Sequence, residues 1–125
     1  MGDLTKNFSK KEFACKCGCG FDAISPKLVE KLQGIRDHIE NPIIISSGCR
    51  CENHNRLQGG HSDSAHLKGF AADILCADSA SRFELLSLAV KNFARIGINM
   101  RFIHVDIDRY SFAGAGIAWV YPNKK

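Results

Sequence analysis

The stretch Ser64-Ala65-His66-Leu67-Lys68-Gly69-Phe70-Ala71-Ala72-Asp73 (SAHLKGFAAD) decides how the rest of the chain is read. Its first half is polar and aperiodic. Its second half opens the run Phe70 to Leu75 (FAADIL), apolar and short enough for a strand. Gly69 stands at the junction and permits a sharp turn, so a loop histidine and a strand carboxylate can converge on one point. An imidazole and a carboxylate so placed suit a borderline-soft divalent cation. Farther on, Arg101 to Ile107 (RFIHVDI) alternates as a strand does, and His104 and Asp106, two positions apart, share one face. His104 would supply a third ligand, and three protein ligands leave an open position for water. Asp106 stands where a general base would sit. Taken singly, each histidine reads equally as a satisfied polar residue, Arg50 as a surface cation and Asp73 as a strand-end carboxylate.

Outward from this centre, the amino-terminal side predicts helices. Ser9 and Glu12 form an S-x-x-E capping box, with Phe8 and Phe13 at the positions of a hydrophobic staple. After the Cys- and Gly-rich turn, Ser25-Pro26 gives an N-cap with proline at the first helical position. Leu28, Leu32, Ile35 and Ile39 carry that helix to Asn41-Pro42, which stops it. Pro42 to Ser46 (PIIIS) reads as a buried strand, and the aperiodic run from Ser47 to Gly69 as a long loop of the kind that carries function. On the other side, Ser81 and Glu84 make a second capping box, opening a helix over Leu85, Leu86, Ala89, Val90 and Phe93 to about Gly97. Gly116 to Tyr121 (GIAWVY) is a last strand. With no βαβ repeat, the pattern is α+β: one small domain, residues 1–125, with a mostly antiparallel sheet flanked by helices.

The bulk properties agree with one soluble core. The chain has 125 residues, 45% apolar and 24% charged, a length for one domain and not two. Its net charge of +4 is spread out, with no stripe of Arg and Lys interleaved with aromatics, so no nucleic-acid partner is expected. The sign suits a weak attraction to anionic cell-wall polymers. No stretch reaches the ~20 apolar residues of a membrane span, so no membrane partner is expected. The start MGDLTKNFSKKEF has no apolar run after its charges, so no signal peptide is expected and synthesis is placed in the cytoplasm. Five of the six cysteines form two knots, Cys15, Cys17 and Cys19 in FACKCGCG, and Cys49 and Cys51 in SGCRCENHN. They could form disulfides, with a link from Cys51 to one of the first three favoured; they could hold a structural zinc; or they could be reduced packing residues. Their spacing is not the usual C-x-x-C knuckle. Cys76 reads as a buried thiol.

The segment S-x-H-x-x-G-x-A-x-D, present as Ser64, His66, Gly69, Ala71 and Asp73, resembles the signature of a zinc peptidase group. That group comprises the D-alanyl-D-alanine carboxypeptidases, the L-alanyl-D-glutamate endopeptidases and the hedgehog signalling domain. SGCRCENHNRLQGG is similar to the SGYRS-x-x-x-N segment of its small phage and bacterial members, FIHVDI resembles their F-[IV]-H-[VI]-D strand, and NFSKKEFACKCGCG matches how they begin. The resemblance implies that His66, Asp73 and His104 bind one catalytic Zn2+. It implies that Arg50 holds the substrate's carboxylate or carbonyl through its planar fork. Ser64 would hydrogen-bond substrate or orient the loop. The implied reaction is hydrolysis of a peptide bond in peptidoglycan stem peptides, by a monomer released in phage or prophage fashion through a holin or a virion.

One departure stands out. Many relatives place an acid three to five residues before the last zinc histidine, where this chain has Asn99, Met100 and Arg101. Asp106 is the nearest acidic replacement and the expected base. It could instead support His104 from behind or be a strand-edge charge, with Asp108 and His61 as weaker candidates. The missing acid keeps open a second reading, a catalytically silent zinc-stabilised binding or structural module. Two histidines and one carboxylate also describe a non-haem iron centre.

Overall fold

Proline fits the first turn of a helix because it lacks an N–H that would go unbonded there anyway. Helix α1 (Pro26–Arg36) accordingly begins at Pro26, behind an extended Ser25. The structure, a computed structural model, describes residues 2–76, 78–108 and 116–121. α1 buries Leu28, Val29, Leu32 and Ile35 along one stripe. It ends at Arg36, one turn short of the expected stop, where the Arg36 side chain donates to the Ile39 carbonyl at 2.7 Å. Ile39 still reaches the core from the turn that follows.

Five strands form one sheet: β1 (Ile45–Ser47), β2 (Ala71–Leu75), β3 (Arg95–Ile98), β4 (Phe102–Asp106) and β5 (Ile117–Val120). Their order is β1-β2-β4-β3-β5. β1–β2, β2–β4 and β3–β4 pair antiparallel, and β3–β5 pairs parallel. The fold is α+β with a mostly antiparallel sheet, as the sequence predicts. Its register sorts the residues into two faces. Ala72, Ile74, Ile96, Ile103 and Val105 point into the core with α1 and with Leu85 and Ala89 of α3 (Ser79–Asn92). On the other face, the pairings Ser47↔Asp73, Asp73↔His104, Gly97↔His104 and Gly97↔Trp119 align one residue from each strand in a single row. The next row joins Ala71, Asp106, Arg95 and Ile117. The apolar face holds the sheet together, and the polar face carries the chemistry.

Several local expectations change. The helix expected after Ser9 is a single 3-10 turn (Lys10–Phe13). Its box and staple still form: Ser9 N–H donates to the Glu12 carboxylate at 2.6 Å, and the Phe8 and Phe13 rings lie 5.9 Å apart. The cap of α3 is Asp78, whose carboxylate accepts from Ser81 N–H at 2.8 Å, so the S-x-x-E at Ser81 lies inside the helix. That helix stops at Asn92, and Arg95–Ile98, expected as its tail, is β3. Ile96 and Ile98 favour a pleated strand, and four residues of β4 stand ready to pair with them. The expected loop from Ser47 contains α2 (Glu52–Leu57) and a 3-10 turn (Ala65–Lys68). Gly69 ends that turn at φ 73°, and a Cβ there would strike the Ala23 carbonyl. Only glycine meets both demands. Among the described residues no helix is long and apolar enough to cross a membrane.

Candidate metal centre

Strand pairing puts Asp73 and His104 opposite each other, and the 3-10 turn before Gly69 folds His66 over them. Ser64 caps that turn, its hydroxyl accepting from His66 N–H at 3.2 Å, so its observed place is in the loop's own geometry. Ligand atoms of His66, Asp73 and His104 lie within 4.8 Å of one another, and all three residues are buried. These side chains could hold a metal ion.

The hydrogen bonds fix which nitrogens face the centre. His66 Nδ1 lies 2.6 Å from the Gly48 carbonyl, which can only accept, so Nδ1 carries a proton and Nε2 is the nitrogen turned to the centre. There it faces Asp73 Oδ1 at 3.2 Å. Two acceptors that close need a cation between them, either a proton or a metal. His104 presents the other nitrogen. Its Nε2 donates to Asp106 Oδ2 at 2.6 Å, and its Nδ1 lies 2.9 Å from Asp73 Oδ1. Two imidazoles and a carboxylate match the ligand preferences of zinc. Each imidazole is oriented through its second nitrogen, as metal-binding histidines commonly are.

The electrostatics describe a site charged with protons when no metal is bound. Burial alone would lower the His104 pKa, but hydrogen bonds to Asp106 and Asp73 outweigh it and push it up to about 9. Burial alone would raise that of Asp73, but the positive field and hydrogen bonds of His66 and His104 hold it well below the usual carboxylate range.

Around the centre opens a cleft of about 810 Å³, whose walls include Arg50, His61, Asn99, Trp119 and Tyr121. Arg50 is held by Ser47 Oγ at 3.0 Å and Asn55 Oδ1 at 3.3 Å, and reaches Asp73 Oδ2 at 3.3 Å. Asp106 also borders this cleft, but both of its oxygens are taken. It is 1% exposed; one oxygen is taken by His104, and the other accepts from Arg95 Nε at 2.7 Å and Asp108 N–H at 3.1 Å. Asp108 turns to Lys68 at 2.7 Å, away from the cleft.

Arg95, Gly97 and Trp119 escape the sequence reading. The guanidinium of Arg95 stacks 5.2 Å from the Trp119 ring, which lies 5.3 Å from His104. A Cβ on Gly97 would come within 2.7 Å of the indole nitrogen, so glycine makes room for that ring. The alternation of Arg95 and Gly97 with Ile96 and Ile98 was the available signal, hidden by the helical run before it.

The geometry is that of three donors that could hold one metal ion, built on an antiparallel sheet and open to a cleft. The sequence model of the family described as Peptidase M15 matches residues 6–108, and the chain belongs to that family, one of zinc metallopeptidases. A search of curated proteins returned no match.

A zinc ion held through His104 Nδ1 would have to displace the proton there, so its affinity should climb as pH rises towards about 9. Each pH unit below that should weaken binding by up to about tenfold, read by competition with a chromophoric chelator. In the metal-free protein the linkage runs the other way. The raised pKa stabilises the fold fully below 6.5, and that contribution is lost as pH rises through about 9. A zinc affinity independent of pH over this range would contradict the assignment of His104 as a ligand.

Proposed function

We propose that this chain, as a single catalytic domain over residues 1–125, hydrolyses a peptide bond in bacterial peptidoglycan stem peptides. The observation that carries the reading is the buried row His66, Asp73 and His104 at the floor of a cleft with Arg50 on its wall. When bound there, zinc would polarise the scissile carbonyl and lower the pKa of a water molecule. His66 would bind it through Nε2 and His104 through Nδ1, with Asp73 as the carboxylate. The guanidinium of Arg50, braced by Ser47 and Asn55, suits a bidentate grip on a peptide carboxylate, a group that stem peptides carry. Ser64 serves the loop that presents His66. Whether the product is that of a D,D-carboxypeptidase or of an L-Ala-D-Glu endopeptidase depends on how the peptide lies along this cleft. The positive net charge favours approach to an anionic wall, and a monomer released in phage fashion accords with that role.

Asp106 we assign to positioning and not to the base role expected from its place in the strand. Both of its oxygens are engaged, by His104 and by Arg95, and although it borders the cleft it is only 1% exposed. One observation favours the alternative of a silent zinc module: the cleft wall offers Asn99 where many relatives have an acid, and Asp106 is occupied.

Digestion of purified muropeptides, read by mass spectrometry with and without chelator, separates the two. Chelator-sensitive cleavage at one bond type is expected, and Arg50→Lys should retain zinc while losing about ten- to a hundredfold in kcat/KM. Intact muropeptides at full zinc occupancy would establish the silent module instead.

Asp106→Asn tests the positioning role. The expected loss is in zinc affinity, about 10–100-fold, with turnover restored by excess zinc. A fall in kcat of about 10²–10⁴-fold that persists at saturating zinc would instead make Asp106 the base.

A further inference from the structure

Outside the cleft, a second group of metal-binding side chains draws together. The sulfurs of Cys15, Cys17, Cys19 and Cys51 all lie within 4.8 Å of one another, and none of these cysteines is in a disulfide. The separations are 3.4 Å for Cys15–Cys17, 3.7 Å for Cys17–Cys51 and 3.9 Å for Cys15–Cys51. A disulfide would need about 2.05 Å. A tetrahedron with zinc–sulfur distances of about 2.3 Å has an edge of about 3.8 Å, which the observed separations bracket. We propose that Cys15, Cys17, Cys19 and Cys51 hold a structural zinc ion through four thiolates, separate from the centre at His66, Asp73 and His104.

The surroundings fit that role. Bound thiolates are commonly supported by donors behind them, and two backbone N–H groups point at these sulfurs. Cys51 N–H donates to Cys15 Sγ at 3.4 Å, and His54 N–H to Cys51 Sγ at 3.4 Å. The unusual C-x-C-x-C spacing is served by Gly18, at φ 84° between Cys17 and Cys19, which turns the chain so that the flanking side chains converge. Four protein ligands leave no open position, so this ion would fasten and not catalyse. What it fastens matters to the cleft. Cys51 caps α2 and follows Arg50 directly, while Cys49 N–H already donates to the Phe13 carbonyl at 2.8 Å. The ion would tie the amino-terminal segment to the wall that carries Arg50. Cys17 and Cys19 are exposed, where bare thiols close together would oxidise readily; a bound ion protects them. Tetrahedral sulfur also suits iron, which metal analysis distinguishes.

The test uses the full chain, purified reduced, stripped of metal and titrated with Co2+. Two equivalents should bind, one of them with the intense near-ultraviolet charge-transfer band of cobalt thiolates. Cys19→Ser, a change at an exposed position that removes one of the four thiolates, should cut the band by about a quarter or more and weaken that equivalent while leaving the other unchanged. Asp73→Ala should keep the band and lose the other equivalent. As a check free of any variant, Cys17, Cys19 and Cys51 of the zinc-loaded protein should resist a thiol reagent until chelator is added, while the buried Cys49 and Cys76 stay unreactive throughout. The protein as isolated should contain zinc at both sites. A single equivalent without the band, a band undiminished by Cys19→Ser, free reactivity of Cys17 and Cys19 in the zinc-loaded protein, iron in the isolated protein's sulfur site, or an intact mass showing a disulfide among these residues would each overturn the proposal.

Discussion

One imidazole held by two carboxylates organises this protein. His104 lies between Asp73 and Asp106, one on each ring nitrogen, and all three are buried in the polar face of the sheet. Two carboxylates cannot be taken out of water uncompensated, because the desolvation of each ion costs several kcal/mol. Each therefore has an arginine: Arg50 at Asp73 and Arg95 at Asp106, at 3.3 Å and 2.7 Å. Removing one partner of a buried pair such as Arg95–Asp106 typically costs about 3–5 kcal/mol. The arrangement leaves one position to be filled by a proton or a metal, between His104 Nδ1, His66 Nε2 and the Asp73 carboxylate. That is why proton binding and metal binding compete there.

The sheet makes this arrangement reproducible. A one-residue slip of β4 against β2 would send His104 and Asp106 into the core and Ile103 and Val105 into the cleft. The apolar row on the far side therefore protects the register of the polar row. Gly97 belongs to the same logic. By withholding a side chain opposite His104, it lets Trp119 stand beside that ring and over Arg95. The aromatic side chains of Trp119 and Tyr121 thus form one wall of the cleft beside the centre.

Much of this was legible in the sequence, for physical reasons that differ by element. Gly69 between a histidine and a carboxylate announces a turn that brings them together, and the H-x-D strand puts His104 and Asp106 on one face by its period of two. The resemblance to zinc peptidases rested on these same residues and agrees with the family match. What stayed hidden depends on tertiary contacts. Period two says that Asp106 shares a face with His104, but not that both of its oxygens are engaged, since that depends on Arg95 drawing the second. Arg95–Ile98 was masked by the helical run ending at Asn92, and only the pairing partner in β4 makes it a strand. The sequence reading brings Cys51 to one of the first three cysteines but favours a disulfide, whereas all four sulfurs converge as free thiols, which spacing alone does not show.

The central claim is that the sheet presents His66 Nε2, His104 Nδ1 and an Asp73 oxygen to one ion. Anomalous diffraction from zinc-loaded crystals, collected on both sides of the zinc absorption edge, tests it most directly. A peak about 2.0–2.2 Å from each of those three atoms is the predicted result, with His104 Nε2 still bonded to Asp106. No peak among them, or zinc bound to His104 through Nε2 with Asp106 displaced, would contradict the account.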